Sequence, residues 1–187
     1  YKQIAAEADF VAVNNSWPNS EGMPEPQQRD SLSRIMVALT TAGAETMLVK
    51  LAPELSDGAI EDVIDLVEIF DLDGVITTNT TTERPESLDS TEQIERGGLS
   101  GAPIEDQATK LVQFVAKRTD VPIIGVGGVS DAAGAYAKIR AGASLVQLYT
   151  GLVYQGPTLA RDINTGLLEL LEADGFDSDE SAIGADL

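Results

Sequence analysis

PIIGVGGVSD, residues 122–131, decides how the rest of the chain is read. Its first half is a short apolar run between Pro122 and a glycine pair, the pattern of a strand buried on both faces. Its second half turns on Gly127 and Gly128 and ends in Ser130 and Asp131. Ser130 is the predicted N-cap of a following helix. A strand running through glycines into a helix is the βα unit of an α/β protein. A second junction of this kind stands at YTGL, residues Tyr149 to Leu152.

The same alternation extends outward in both directions. Apolar runs at Phe10–Val13, Thr46–Leu51, Gly74–Thr78, Pro122–Val126 and Ser144–Leu148 read as buried strands. Between them the period changes to that of a helix face. Ile60, Val63, Ile64 and Val67 form one stripe, Ala108, Leu111, Val112 and Val115 a second, and Ile163, Leu167, Leu170 and Leu171 a last one. Ser56 is a further predicted N-cap. Strands each followed by a helix imply a parallel sheet with right-handed crossovers.

Two architectures fit such a series. An open doubly wound sheet calls for G-x-G-x-x-G after an early strand, and none is present. A (β/α)8 TIM barrel often binds phosphate with the loops after its last two strands, where this chain carries GVGGVSD and YTGL. If those strands are the seventh and eighth, the chain starts near strand four. A whole barrel takes about 250 residues, so these 187 residues correspond to about the last five βα units. Residues 1–173 are then the C-terminal part of a barrel, and 174–187 an acidic C-terminal tail.

Charge excludes several partners. With 31 acidic and 12 basic residues the net charge is −19, which repels nucleic-acid phosphates and anionic lipid. The excess suits a salt-adapted surface, with binding of a cation or a basic protein as the alternative. The absence of cysteine and histidine removes disulfides, thiolate and imidazole metal sites, a Cys nucleophile and a His base. No metal site is expected. No apolar run is long enough to span a membrane, and no signal peptide is visible at Tyr1 to Asp9.

Several segments carry chemistry. Gly127 and Gly128 either admit a phosphate to the main chain or merely make a tight turn, and the second glycine loop, GGLSGAP at 97–103, raises the phosphate reading. Lys50 lies among apolar neighbours, as a cation facing an anionic partner or as a lysine reaching out from a strand end. Thr77-Thr78-Asn79-Thr80-Thr81 supplies donors and acceptors for a planar carbonyl-rich ligand, or a plain turn. Thr82 to Arg96 is a lid, a binding loop or a solvated insertion. VNNSWPNSEG, residues 13–22, is a polar loop around Trp17, the only tryptophan of the chain.

Taken in order, NNSWPN, VKLAPELS, GVITTNTT, GGLSGAP, PIIGVGGV, RAGASLVQLYTGL and SAIGAD resemble the C-terminal portion of dihydroorotate dehydrogenase, in its quinone-linked, membrane-associated class. The resemblance covers nearly the whole chain. It implies an FMN-dependent barrel that oxidises dihydroorotate to orotate in de novo pyrimidine biosynthesis and passes electrons to quinone. By the same resemblance Lys50 contacts the pyrimidine edge of the flavin. Thr78, Ser100, Gly101, Gly128, Tyr149 and Thr150 also hold FMN, the last three mainly at its phosphate. Asn14, Asn19, Asn79 and Thr80 grip orotate. In the family's chemistry a base takes the C5 proton while hydride passes from C6 to flavin N5.

Three departures accompany the match. The family loop reads N-x-S-S-P-N or N-x-S-C-P-N, and the residue before proline is the base; here it is Trp17, whose indole offers only an N–H donor. Met23-Pro24-Glu25-Pro26-Gln27 replaces Leu-Arg-x-Leu-Gln, and Ala102 stands where Lys or Arg is common. The family's N-terminal quinone-binding element and first barrel strands lie outside residues 1–187. A truncated or catalytically inactive flavin- and orotate-binding homologue is therefore the alternative reading. The expected location is the cytoplasm, or the cytoplasmic membrane surface where the N-terminal element is present.

Overall fold

The computed structural model describes residues 1–3, 5–14, 29–86, 88–91 and 95–187. Five strands lie side by side: β1 Val11–Asn14, β2 Met47–Leu51, β3 Gly74–Thr77, β4 Ile123–Val126 and β5 Leu145–Gln147. All are parallel and their order in the sheet is their order in the chain. A doubly wound sheet would reverse its strand order at a switch point. Sequential order without reversal is the arc of a (β/α)8 barrel, as the glycine-bearing loops predict. Among the described residues β1 and β5 each pair on one side only.

Helices follow the strands: α1 Arg29–Thr41, α2 Asp57–Ile69, α3 Glu105–Ala116, α4 Ala132–Arg140, α5 Thr150–Gln155, α6 Leu159–Asp174 and α7 Asp179–Ala182. The predicted stripes face the sheet. Val63 and Val67 of α2 and Val112 and Val115 of α3 are fully buried against Val49, Leu51, Val75 and Ile123 of the strands. Side chains alternate across a strand, so Met47, Val49 and Leu51 of β2 enter this core while Lys50 is directed to the opposite face. Leu32, Ile35, Met36 and Leu39 give α1 the same stripe and pack on the same core. Two smaller clusters seat α6 on α4, through Ala135 with Ile163 and Ile139 with Leu171.

Local signals hold with one correction. Ser56 caps α2, its hydroxyl accepting from Ala59 N at 3.3 Å. The cap of α4 is Asp131, not Ser130: Asp131 is extended and its carboxylate accepts from Gly134 N at 2.8 Å. The acidic segment 174–187 is docked. Ala182 is fully buried, and Arg140 at the end of α4 pairs with Asp174 and Asp186.

Candidate functional site

The C-terminal ends of the strands converge on one cleft of about 250 Å3, lined by Lys50, Thr78, Asn79, Thr80, Ser100, Gly101, Gly127, Gly128, Tyr149 and Thr150 among others. Barrel sites form at this end because the βα loops gather there. The two glycine loops, the β2 lysine and the threonine-rich loop after β3 thus meet in space.

β2 carries Lys50 into the cleft one residue before the strand ends. Burial pushes its ammonium below the ordinary lysine value. The loop after β3 is stitched to both neighbouring strands. Thr78 N donates to Val126 O at 2.9 Å, while Thr78 Oγ1 and Asn79 N donate to Leu51 O at 3.0 and 2.8 Å. The Thr77–Thr78 peptide is cis. Asn79 Nδ2 in turn donates to Asn14 Oδ1 at 3.3 Å, bringing the end of β1 to the cleft wall.

Beyond Thr80 the chain is fixed to the glycine loop at 97–103. Thr81 and Leu99 exchange main-chain hydrogen bonds of 3.0 and 2.7 Å. Glu54, in the loop after β2, accepts from Thr81 Oγ1 and Thr82 N, both at 2.6 Å, and from Thr82 Oγ1 at 3.3 Å. Arg84 donates to the carbonyls of Thr82, Glu83, Glu95 and Gly97 at 2.9–3.1 Å. One guanidinium thus closes the two ends of the Thr82–Arg96 segment onto each other.

Glycines shape another part of the cleft wall. Gly101, Gly127 and Gly128 all have positive φ, at 85°, 119° and 79°, a region open to glycine and strained for other residues. A Cβ at Gly128 would lie 2.5 Å from Glu105 Cα, and one at Gly101 would lie 3.0 Å from Thr150 Cγ2. The glycines thus let α3 and α5 pack directly on these loops, and all three line the cleft without a side chain, which suits close approach of a phosphate. Ser100 Oγ and Thr150 Oγ1 are 2.8 Å apart and close one side.

Nine of the twelve residues singled out from sequence line this cleft: Lys50, Thr78, Asn79, Thr80, Ser100, Gly101, Gly128, Tyr149 and Thr150. Asn14 joins them through Asn79. Trp17 and Asn19 lie outside the described residues, as do Met23 to Gln27. Glu54, Arg84, Glu105 and Lys138 were not singled out as site residues. Glu54 stands inside VKLAPELS immediately after Pro53, and a carboxylate in a loop at a strand's C-terminal end is a readable signal. Lys138 is hidden within AAGAYAKIR, where only folding shows which face is buried. Among the described residues no group of acidic side chains is arranged to hold a metal, and no helix is long and apolar enough to cross a membrane.

Comparison with known proteins shows the family and the fold. Residues 1–171 match the family model described as "Dihydroorotate dehydrogenase". The chain is 63% identical over 187 residues to a protein of Haloarcula marismortui named "Dihydroorotate dehydrogenase (quinone)", covering 100% of this chain and 53% of that relative. A protein of the same name from Natronomonas pharaonis is 59% identical with the same coverage. A crystal structure of DHODH from Eimeria tenella in complex with ferulenol superposes with a TM-score of 0.93 at 37% identity, covering 99% of this chain and 56% of that one. The chain spans about half the length of the relatives it matches.

Proposed function

This chain belongs to the dihydroorotate dehydrogenase family, and from that premise we propose that it forms the flavin- and orotate-binding half of an enzyme that oxidises dihydroorotate to orotate in pyrimidine biosynthesis, with FMN as cofactor and quinone as acceptor. One observation carries the reading. A single cleft unites a half-buried cation, a paired asparagine set and a bare glycine wall.

The residues fit an FMN. Gly101, Gly127 and Gly128 line the cleft with no side chain, and a Cβ on any of them would press on Thr150, Ala108 or Glu105. Lys50 sets positive charge against the electron-rich edge of the ring, in a site where burial strengthens that interaction. Ser100, Tyr149 and Thr150 complete the grip. Bound FMN supplies the two-electron acceptor for a hydride. Asn14, Asn19, Asn79 and Thr80 orient the substrate's carbonyls, imide and carboxylate through amides and a hydroxyl that both donate and accept. A quinone acceptor places the enzyme at a membrane surface, reached through an element outside residues 1–187.

Proton removal is where a second reading enters. The family's base position is held by Trp17, and indole cannot accept a proton at working pH. On that reading the cleft binds flavin and orotate while turnover is slow or absent. Dihydroorotate-dependent reduction of a soluble quinone by the full-length protein, with FMN added, tests the proposal. Steady turnover supports the enzyme. Tight FMN and orotate binding without turnover supports the inactive homologue, and binding of neither refutes both.

A further inference from the structure

We propose that Lys138, hydrogen-bonded to the main chain of Glu105, is a positioning residue that sets the affinity of the Gly127–Gly128 loop for a phosphate from behind the loop, without touching the ligand. The inference rests on the FMN reading above and deepens it.

Lys138 is fully buried. Its stem crosses β4 at Gly125, where a Cβ would lie 3.2 Å from Lys138 Cδ and 3.3 Å from its Cβ. The ammonium donates to Thr109 Oγ1 at 2.9 Å and more weakly to Glu105 O at 3.4 Å, so α4 is tied to the first two turns of α3. Glu105 opens α3 and presses on Gly128 with its Cα and Cβ, while its carboxylate packs over Gly134 in the first turn of α4. The carboxylate therefore occupies the back of the glycine loop, beside a helix start whose partial positive charge favours anions.

An uncompensated carboxylate there opposes a phosphate. Held at Glu105 O and Thr109 Oγ1, the Lys138 ammonium sets a positive charge close to that carboxylate and acts against it. The charged groups around the pair are Glu105 and Asp106 from α3, with Asp131 facing Glu105 from the start of α4. Among the described residues lining the cleft, Lys50 is the only cation, and the proposed function uses it at the flavin ring. The balance of Lys138 against Glu105 thus tunes the loop.

The test titrates flavin-free full-length protein with FMN and, separately, with riboflavin, which lacks the phosphate, following quenching of flavin fluorescence. The ratio of the two dissociation constants isolates the phosphate's contribution. Lys138→Met keeps a stem over Gly125 and removes the charge; its preference for FMN should fall on the order of tenfold, the scale of one charge acting through a partly screened medium. Glu105→Gln should move the ratio the opposite way, and it decides the matter alone if Lys138→Met does not fold. A ratio unchanged from wild type overturns the proposal, as does equal weakening of both flavins in Lys138→Met. Wild-type protein that binds neither flavin overturns the function reading and this inference with it. Wild-type binding with unmoved ratios overturns this inference only.

Discussion

Ser100 Oγ and Thr150 Oγ1 lie 2.8 Å apart although 50 residues separate them in the chain. The contact joins the loop before α3 to the first turn of α5, across the mouth of the glycine-walled cleft. Ser100→Ala and Thr150→Val should each weaken FMN binding by roughly 2–10-fold, the range for one neutral hydrogen bond. The double variant should cost less than the sum of the two, because each single change already breaks the shared bond. A flavin titration of the four proteins measures this directly.

Glu54 holds three donors of the Thr81–Thr82 segment on one carboxylate oxygen. Glu54→Gln preserves shape but removes the charge that strengthens those bonds. The expected loss is about 1–3 kcal/mol of stability in denaturant unfolding. The Michaelis constant for dihydroorotate should also rise, since Asn79 and Thr80 precede the anchored residues.

Lys138 gives a pH signature. Desolvation lowers its pKa from the model-peptide range to about 8, against the opposing pull of Glu105 and Asp106, with Asp131 facing Glu105. Between that value and the unfolded lysine's, the unfolded chain binds more protons, so stability rises with pH. The gain is fully present above the unfolded value and is lost as pH falls through about 8. At about 1.4 kcal/mol per unit it amounts to a few kcal/mol. The difference between wild type and Lys138→Met, followed by denaturant unfolding from pH 7 to pH 11, should show this slope. A flat difference would contradict it.

The charge of −19 makes folding depend on salt. Screening of scattered carboxylates relieves repulsion in the folded state. The thermal midpoint should rise between dilute buffer and molar salt, by roughly 2–4 °C for each kcal/mol relieved. An unchanged midpoint would show that the acidic surface carries no net strain.

Much of this fold is legible in sequence because strand and helix periods are local. The runs around Val49, Val75 and Ile123 and the stripes through Val63 and Val112 needed no tertiary information, and each is in the core. α1 carries the same stripe in Leu32, Ile35, Met36 and Leu39, and was readable by the same rule. The α4 cap fell one residue from its predicted place because Ser130 and Asp131 are both good caps, and only the extended backbone at Asp131 chooses between them. The cleft residues were legible through glycine loops and motif order. Their supports were not. The roles of Glu54, Arg84 and Lys138 depend on contacts across 11 to 33 residues that no spacing rule encodes. The docking of segment 174–187 likewise depends on Arg140 finding Asp186.

We propose that this cleft oxidises dihydroorotate at a rate limited by Trp17, which stands where the family has its base. The most direct test is anaerobic mixing of FMN-loaded full-length protein with dihydroorotate, following loss of the flavin's visible absorbance in wild type and in Trp17→Ser. Slow bleaching is expected in wild type, with acceleration by roughly 10²–10⁴-fold on restoring the serine. No bleaching in either protein would contradict the assigned site, and equal, rapid bleaching in both would contradict the role given to Trp17.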